Sequence, residues 1–445
     1  MSRRTRADSN NGLLRSALNS QRVPSSNGRS SRRDTPRSGT RSLQASQQAS
    51  RDVSDDDFDD SASVMSEDTW LGEDDEPVGD VGDWEELLGG ALEALGEKRA
   101  AAREKTLASI VRLMAHVYMG EGLEGRRVTL LEALRRGARS TKSARERELA
   151  LRGVALWFVN FGTDAEAEAE FGSVSEQLRA LATDPGSDVR APAVAALGMA
   201  NFVAGADFRD AAELAQFVQA RVLAPALERR AMDEVRQALE TLGLLLTVVA
   251  DADAALAERV FDAALALHMR ALKADSVDVR VRAAQNFALV HQALNAHAPF
   301  AFAQQDELVG VLEMLRHESS KRHGKRSVAA QRAAMRDTLR TIEAGDAPEL
   351  RLALHGRVVR FGDWIRILRL HAFRAALGGG LPAHFLANAL LQDVFDVEFD
   401  GSHDEFQLNK ARMVVSPSSE LAKLRSKDMR KRRAAHHATL QPDDE

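Results

Sequence analysis

The 445-residue sequence contains no cysteine. This absence excludes disulfide frameworks, thiolate chemistry, zinc fingers and iron–sulfur clusters. Aromatic side chains are also scarce, with four Trp and one Tyr, whereas Ala and Leu dominate the middle of the chain. Because Ala, Leu, Glu and Arg are strong helix formers, the composition predicts closely packed helices rather than sheets.

Long apolar runs are missing as well. The most apolar stretch, Leu242 to Ala250, is far shorter than the roughly 20 residues that a bilayer-spanning helix needs. The basic start, MSRRTRADSN, has no apolar core behind it, so it does not have the pattern of a secretory signal. We expect a protein of the cytoplasm and nucleus, without a membrane partner.

Charge is strongly segregated behind the net charge of −6. Residues 1–50 are rich in Arg and Ser, residues 52–86 are intensely acidic, and residues 409–437 are basic. Residues 1–82 offer too little apolar area to offset chain entropy, so we predict a disordered tail there. Within it, Ser54 and Ser66 each precede acidic residues and resemble acidophilic kinase sites; a solvated acidic spacer is the alternative.

The acidic stretch also contains large apolar side chains, namely Phe58, Met65, Trp70 and Leu71. Interleaved acidic and apolar groups are suited to a basic, apolar partner surface. The alternative is again a solvated spacer without a docking role.

A repeat organises residues 83–345. It is marked by six arginines near the starts of apolar helices, spaced by 44, 43, 46, 44 and 46 residues: Arg103, Arg147, Arg190, Arg236, Arg280 and Arg326. Apolar or small residues follow most of them at about +4, +7 and +8, with the weakest match at Arg236. The period is typical of HEAT and armadillo units, in which neighbouring helix pairs bury each other's apolar faces.

The sequence therefore predicts an all-α fold, a HEAT/armadillo-like α-solenoid of about six helix pairs. Second helical stretches are expected near residues 126–138, 174–183, 211–224, 254–273 and 306–318. We also expect the repeated arginines to form a structural ladder between neighbouring repeats, with acids such as Asp188 and Asp278; a direct binding role for these arginines is the alternative.

Residues 346–400 break the repeat and predict a small C-terminal subdomain. The segment 350–361 alternates apolar residues and favours a strand or hairpin. Helices are predicted at 363–377, stopped by three glycines, and at 382–394, with Pro382 in its permitted first turn. Residues 401–445 form a basic tail.

The sequence contains partial catalytic motifs, but each lacks a feature that its chemistry requires. Gly120, Gly122 and Gly125 spell GxGxxG but follow a helix rather than a strand. Gly324-Lys325 lacks the other residues of a P-loop, and His317-Glu318 lacks the second histidine of a zincin. We expect no enzyme activity, no cofactor, no metal and no small-molecule substrate.

The basic tail carries the clearest interaction signal. Its candidate RNA- or partner-binding residues are Lys410, Arg412, Lys423, Arg425, Lys427, Arg430, Lys431, Arg432 and Arg433. Such a cluster suits RNA phosphate, and its binding should weaken steeply with salt. A nuclear-import signal and a solubilising tail are the alternatives.

Two segments resemble the interferon-related developmental regulator family. The first is residues 83–114 together with 129–140 and 146–156, behind an acidic, Ser-rich stretch. The second is residues 361–395, where Trp364, the glycine stop, His384, Asn388 and Phe395 stand in the order of that family's C-terminal domain. The resemblance implies an armadillo-like regulator without catalysis. It also implies ribosome binding with translational repression, or transcriptional co-regulation through co-repressor proteins.

Overall fold

The computed structural model describes residues 64–65, 84–120, 123, 125–162, 165–318, 324–354 and 357–397. Apart from Val64 and Met65, the predicted disordered tail lies outside these residues, as do Ser54, Ser66, half of the GxGxxG segment and the whole basic tail. The helices of the repeat are α1 (Trp84–Ala94), α2 (Ala100–His116), α3 (Arg127–Ala138), α4 (Ala144–Phe161), α5 (Ala165–Thr183), α6 (Arg190–Ala204), α7 (Phe208–Val218), α8 (Ala224–Arg229), α9 (Met232–Ala252), α10 (Ala254–Asp262), α11 (Leu265–Leu272), α12 (Val277–Asn295), α13 (Gln305–Arg316) and α14 (Lys325–Ala344).

These helices form two layers. The inner layer is α2, α4, α6, α9, α12 and α14, each packed on the next in that order. The outer layer is α1, α3, α5, α7, α8, α10, α11 and α13, which pack mainly on the inner helices. The six inner helices are those led by the repeated arginines, and the predicted all-α solenoid is confirmed.

Local signals explain where several helices begin. Ser143 Oγ accepts the backbone N–H of Glu146 at 3.1 Å, and Asp207 and Asp253 cap α7 and α10 in the same manner. Such side-chain caps satisfy backbone donors that the first helical turn leaves unpaired. Small buried side chains, such as Ala283 and Ala284 on α12, let neighbouring inner helices approach closely.

The outer layer differs from the prediction in three places. Helix α5 begins at residue 165 rather than near 174, because Ala and Glu favour helix even where no apolar stripe is present. The stretch predicted near 211–224 continues through a π-helical turn, Gln219–Leu223, into α8. The stretch predicted at 254–273 is divided into α10 and α11.

The arginine ladder is present in the first three repeats. Arg103 Nε and Nη2 each donate to Glu146 at 2.7 Å, Arg147 pairs with Asp188, and Arg190 Nη2 donates to Glu234 at 2.8 Å. Each arginine thus reaches the acid that stands just before the arginine of the following repeat.

The pairing of the repeated arginines changes from Arg236 onward, where the sequence match between repeats is weakest. Arg236 pairs with Glu240 in its own helix at 2.8 Å. Arg280 Nη1 donates to Glu318 at 2.9 Å, beyond the outer helix α13. Asp278, which we expected in the ladder, is exposed.

The C-terminal elements follow α14. They are strands β2 (Leu350–Leu354) and β3 (Arg357–Phe361), helix α15 (Trp364–Leu377), a 3₁₀ turn (Gly378–Gly380), α16 (Leu381–Ala387) and α17 (Ala389–Phe395). The predicted hairpin is present, with Leu350 opposite Phe361 and Leu354 opposite Arg357. The helix expected at 382–394 is two short helices, divided at Asn388.

A third strand completes the sheet. Strand β1 (Val64–Met65) pairs in parallel with β2, with Val64 opposite Arg351 and Met65 opposite Leu352. Residues from the acidic stretch are thereby joined to the C-terminal hairpin.

Candidate partner-binding face

Helix α15 lies across the inner helices, on the face that a solenoid commonly offers to partners. Arg369 of α15 bonds to Thr247 and, at 3.0 Å, to Asp251, both near the end of α9. Phe373 packs edge-on against Phe202 of α6 with 5.7 Å between ring centroids. Further along the solenoid, α15 also contacts α4 and α2. The protein therefore covers part of its own inner face.

Trp364 anchors the start of α15 at the last repeats. Its side chain is buried, and its indole Nε1–H donates to Thr341 Oγ1 of α14 at 2.8 Å. Its backbone N–H donates to Gln292 Oε1 of α12 at 2.8 Å. The Asp363 side chain caps the helix by accepting the N–H of Arg366.

His384 and Asn388 anchor the other end at the first repeats. His384 Nε2–H donates to the Met114 carbonyl of α2 at 3.2 Å. Asn388 Nδ2 donates to the Val159 carbonyl of α4 at 2.9 Å and lies 3.3 Å from His384 Nδ1. Because the carbonyl can only accept, the proton is on Nε2 and Nδ1 is the acceptor for Asn388.

The same arrangement recurs inside the solenoid. His268 Nδ1–H donates to the Ala264 carbonyl at 3.0 Å, and its Nε2 lies 3.3 Å from Asn286 Nδ2, which donates to the Leu239 carbonyl. Both histidines are fully buried, and burial lowers the pKa of each to about 4. Each ring is therefore neutral at physiological pH and acts as both donor and acceptor.

A cavity of about 280 Å³ lies beside α15 on the inner face. Its floor is apolar and includes Ala195, Met199 and Leu244, and its rim carries polar and charged groups. The inner-helix residues that line it are in the first two thirds of α4, α6, α9 and α12, whereas Thr247 and Gln292 contact α15 from the last thirds of α9 and α12. Helix α15 thus leaves one side of the inner face open.

His371 projects from α15 at this cavity. Its Nδ1 is enclosed and has no hydrogen-bond partner in the part of the chain that the structure describes. Burial, together with the nearby Arg282 and Arg374, lowers the pKa of His371 to about 3. The cavity thus contains a neutral imidazole beside cationic side chains.

The structure describes His317, Gly324 and parts of the other motifs considered for catalysis. His317 contacts Glu313 of its own helix at 3.4 Å and is mostly exposed. Within the ranges that the structure describes, no cluster of three or more potential metal ligands occurs. In those same ranges, no helix combines the length and the apolarity that crossing a bilayer requires.

Residues 55–343 match the sequence profile of the family described as interferon-related developmental regulator. That match covers more than half of the chain. The protein belongs to the interferon-related developmental regulator family. The resemblance noted from the sequence is thereby confirmed, and membership indicates a regulatory protein.

Individual family members align with most of this regulator. Mouse interferon-related developmental regulator 2 is 26% identical over 348 residues, covering 75% of this chain and 77% of the mouse protein. Pig interferon-related developmental regulator 1 is 23% identical over 324 residues, covering 71% and 72% of the two chains. The human regulator 1 is 22% identical over 331 residues, with the same coverage.

The residues that hold the C-terminal helices in place were partly visible in the sequence of this family member. Trp364, His384, Asn388 and Phe395 belonged to the motif that suggested the family, although their contacts were not predicted. Arg369 and its partners on α9 were missed, because no local pattern joins residues about 120 positions apart. The nine basic residues from Lys410 to Arg433 lie outside the described residues, so their role remains a prediction.

Proposed function

We propose that this protein is a non-catalytic regulator of gene expression that docks on the ribosome through its solenoid and contacts RNA through its basic C-terminal residues. Family membership supports a regulatory role. The proposal rests mainly on one sequence observation: residues 409–437 contain nine Lys and Arg but only two acids, Glu420 and Asp428. Phosphate contacts by such a segment release counterions and favour binding to RNA.

The fold supports separate roles for the solenoid and for the basic residues 409–437. The C-terminal helices occupy part of the inner face, and the described chain ends at Val397, shortly before the basic residues. Solenoids of stacked helix pairs commonly offer extended binding surfaces, whereas the basic residues carry the charge that RNA requires.

Sedimentation with purified ribosomes tests the proposal. Full-length protein should co-sediment at low salt and dissociate as salt rises, because phosphate contacts are salt-dependent. A variant with Glu at Arg430, Lys431, Arg432 and Arg433 should lose most of this binding. A charge-matched control places Glu at four exposed arginines of the solenoid, which are Arg112, Arg209, Arg221 and Arg270.

Equal co-sedimentation of the tail variant and the native protein would show that the basic residues are not part of the binding site. Loss of binding in the control alone would assign the contact to the solenoid. If neither the native protein nor the control variant binds ribosomes, the proposed ribosomal function is wrong.

The alternative function is a nuclear scaffold for co-repressor proteins. The same run, Arg430 to Arg433, has the composition of a nuclear-import signal. This alternative predicts nuclear accumulation that depends on Lys431, Arg432 and Arg433, and protein partners that remain bound after nuclease treatment. An exclusively cytoplasmic pool would count against it.

A further inference from the structure

The open side of the inner face runs alongside α15 and has the features of a binding groove. It is lined in turn by α4, α6, α9 and α12 on one side and by α15 on the other. Its floor of Ala195, Met199, Leu244 and Ala372 is apolar, and the cavity is large enough for one aromatic or branched side chain at its centre. We call this surface the α15 groove.

Cations exceed anions along the α15 groove. Arg145 is paired with Glu148 at 2.9 Å, and Arg282 is paired with Glu240 at 3.0 Å. Arg152 is exposed, and its guanidinium donates to the Ala376 carbonyl in a long 3.4 Å hydrogen bond.

Inside the α15 groove, the Nδ1 of His371 adds a polar group that has no hydrogen-bond partner among the described residues. Groove geometry and charge therefore suit an acidic segment with apolar side chains.

The structure fixes the two ends of one such segment of this chain. Strand β1 ends at Met65 on the hairpin, which lies between α14 and the start of α15 at the last repeats. Helix α1 begins at Trp84 and packs on α2 in the first repeat. Residues 66–83 must therefore connect the last repeats to the first.

The length of this connection restricts its route. Six stacked inner helices are separated by five steps of roughly 8–10 Å, or about 45 Å in all. Eighteen residues reach at most about 60 Å when fully extended. The segment has little length to spare, so a path parallel to α15 along the solenoid accommodates it best.

The chemistry of residues 66–83 complements the α15 groove. The segment contains eight acidic residues and no basic residue. Its large apolar side chains are Trp70 and Leu71, five and six positions after Met65. Acids are available for the rim arginines, and an apolar side chain is available for the floor.

We propose that residues 66–83 bind in the α15 groove of the same molecule, with Trp70 or Leu71 in the central cavity. The tether makes this contact intramolecular, so even weak interactions are populated at the high effective concentration. An external acidic ligand must then displace the segment before it can use the groove.

Disulfide trapping tests the proposal, since the native chain has no cysteine. Gly72→Cys is combined with either Ala195→Cys or Gln237→Cys, two positions in the α15 groove. Each double variant is oxidised mildly as dilute full-length protein. The control combines Gly72→Cys with Met314→Cys, an exposed position on the outer helix α13. Proteolysis and mass spectrometry then identify the linked peptides.

At least one groove pair should link within single molecules several-fold faster than the control pair. Adding Arg152→Glu should slow that linkage, whereas Arg221→Glu on the outer layer should not. Equal rates for the groove and Met314 pairs, no linkage at either groove position, or linkage only between molecules would overturn the proposal.

Discussion

Glu146 connects two repeats of the solenoid by accepting hydrogen bonds from Nε and Nη2 of Arg103, a residue 43 positions earlier in the chain. Ser140 Oγ also donates to this carboxylate, at 2.9 Å. These hydrogen bonds, those from Arg103 first, lower the pKa of Glu146 below its ordinary value. The pair fixes the position of α4 relative to α2 at the start of the solenoid.

Glu146→Ala should therefore destabilise the protein. The Glu146 side chain is 4% exposed and that of Arg103 is 14% exposed. Removing one member of a buried pair leaves the other charge without compensation, and costs about 3 kcal/mol. Chemical denaturation monitored by circular dichroism measures the change in the free energy of unfolding.

Glu148→Ala provides the matched control for that substitution. Glu148 lies on the same helix and pairs with Arg145, but both side chains are at least half exposed. Exposed ion pairs contribute little, so we expect a change within about 0.5 kcal/mol. Similar losses in the two variants would show that the cost comes from helix α4 itself rather than from the ladder.

Stability should fall between pH 6.5 and pH 4. His268 and His384 have an ordinary pKa of 6.5, which burial lowers to about 4 in the folded protein. In this interval the unfolded chain binds more protons, so lowering the pH favours unfolding. Each histidine contributes on the order of 3 kcal/mol to this loss. Denaturation midpoints measured at several pH values test the effect.

The substitution His384→Gln separates the contribution of His384 to the pH dependence of stability from that of His268. Gln keeps a hydrogen-bonding side chain but does not titrate in this range, so the variant should lose less stability on acidification than the native protein. His317→Gln is the control, because His317 is 73% exposed and its replacement removes no buried imidazole. An unaltered pH dependence in His384→Gln would show that this histidine is not the group that titrates.

The sequence was informative wherever structure follows from a short-range pattern. The 43–46-residue spacing of arginines identified the six inner helices, and the alternation in residues 350–361 identified the hairpin. The glycine stop and Pro382 placed the end of α15 and the turn after it. These features depend on periodicity and local backbone preferences, which a single sequence displays.

Long-range packing was not visible in the same way. Nothing local shows that His384 bonds to the Met114 carbonyl, 270 positions away, or that α15 covers part of the inner face. Most of the acidic residues that pair with the repeated arginines were also not predicted. A charged residue near the start of a helix can equally be a solvated surface group, so its position does not identify a partner. Only the Arg147–Asp188 pair involves an acid we had named.

Gly380→Ala should disrupt the docking of the C-terminal helices while leaving the solenoid folded. A Cβ atom at this position would overlap the backbone carbonyl of Ala115 in α2, and neither backbone can move aside without separating α16 from the solenoid. We expect a loss of about 3 kcal/mol, as for a severely overpacked position. Faster amide hydrogen exchange in α16 and α17, with little change in α9 and α12, would locate the effect.

Gly310→Ala tests whether that loss is due to the close approach rather than to the residue change. Gly310 lies within α13, and an added Cβ atom there would meet no atom within 4 Å. Because Ala is the better helix former, this variant should gain up to about 1 kcal/mol of stability. Destabilisation in both variants would contradict the explanation. Stabilisation at Gly310 with destabilisation at Gly380 would establish that the contact between the 3₁₀ turn and α2 requires a residue without a side chain.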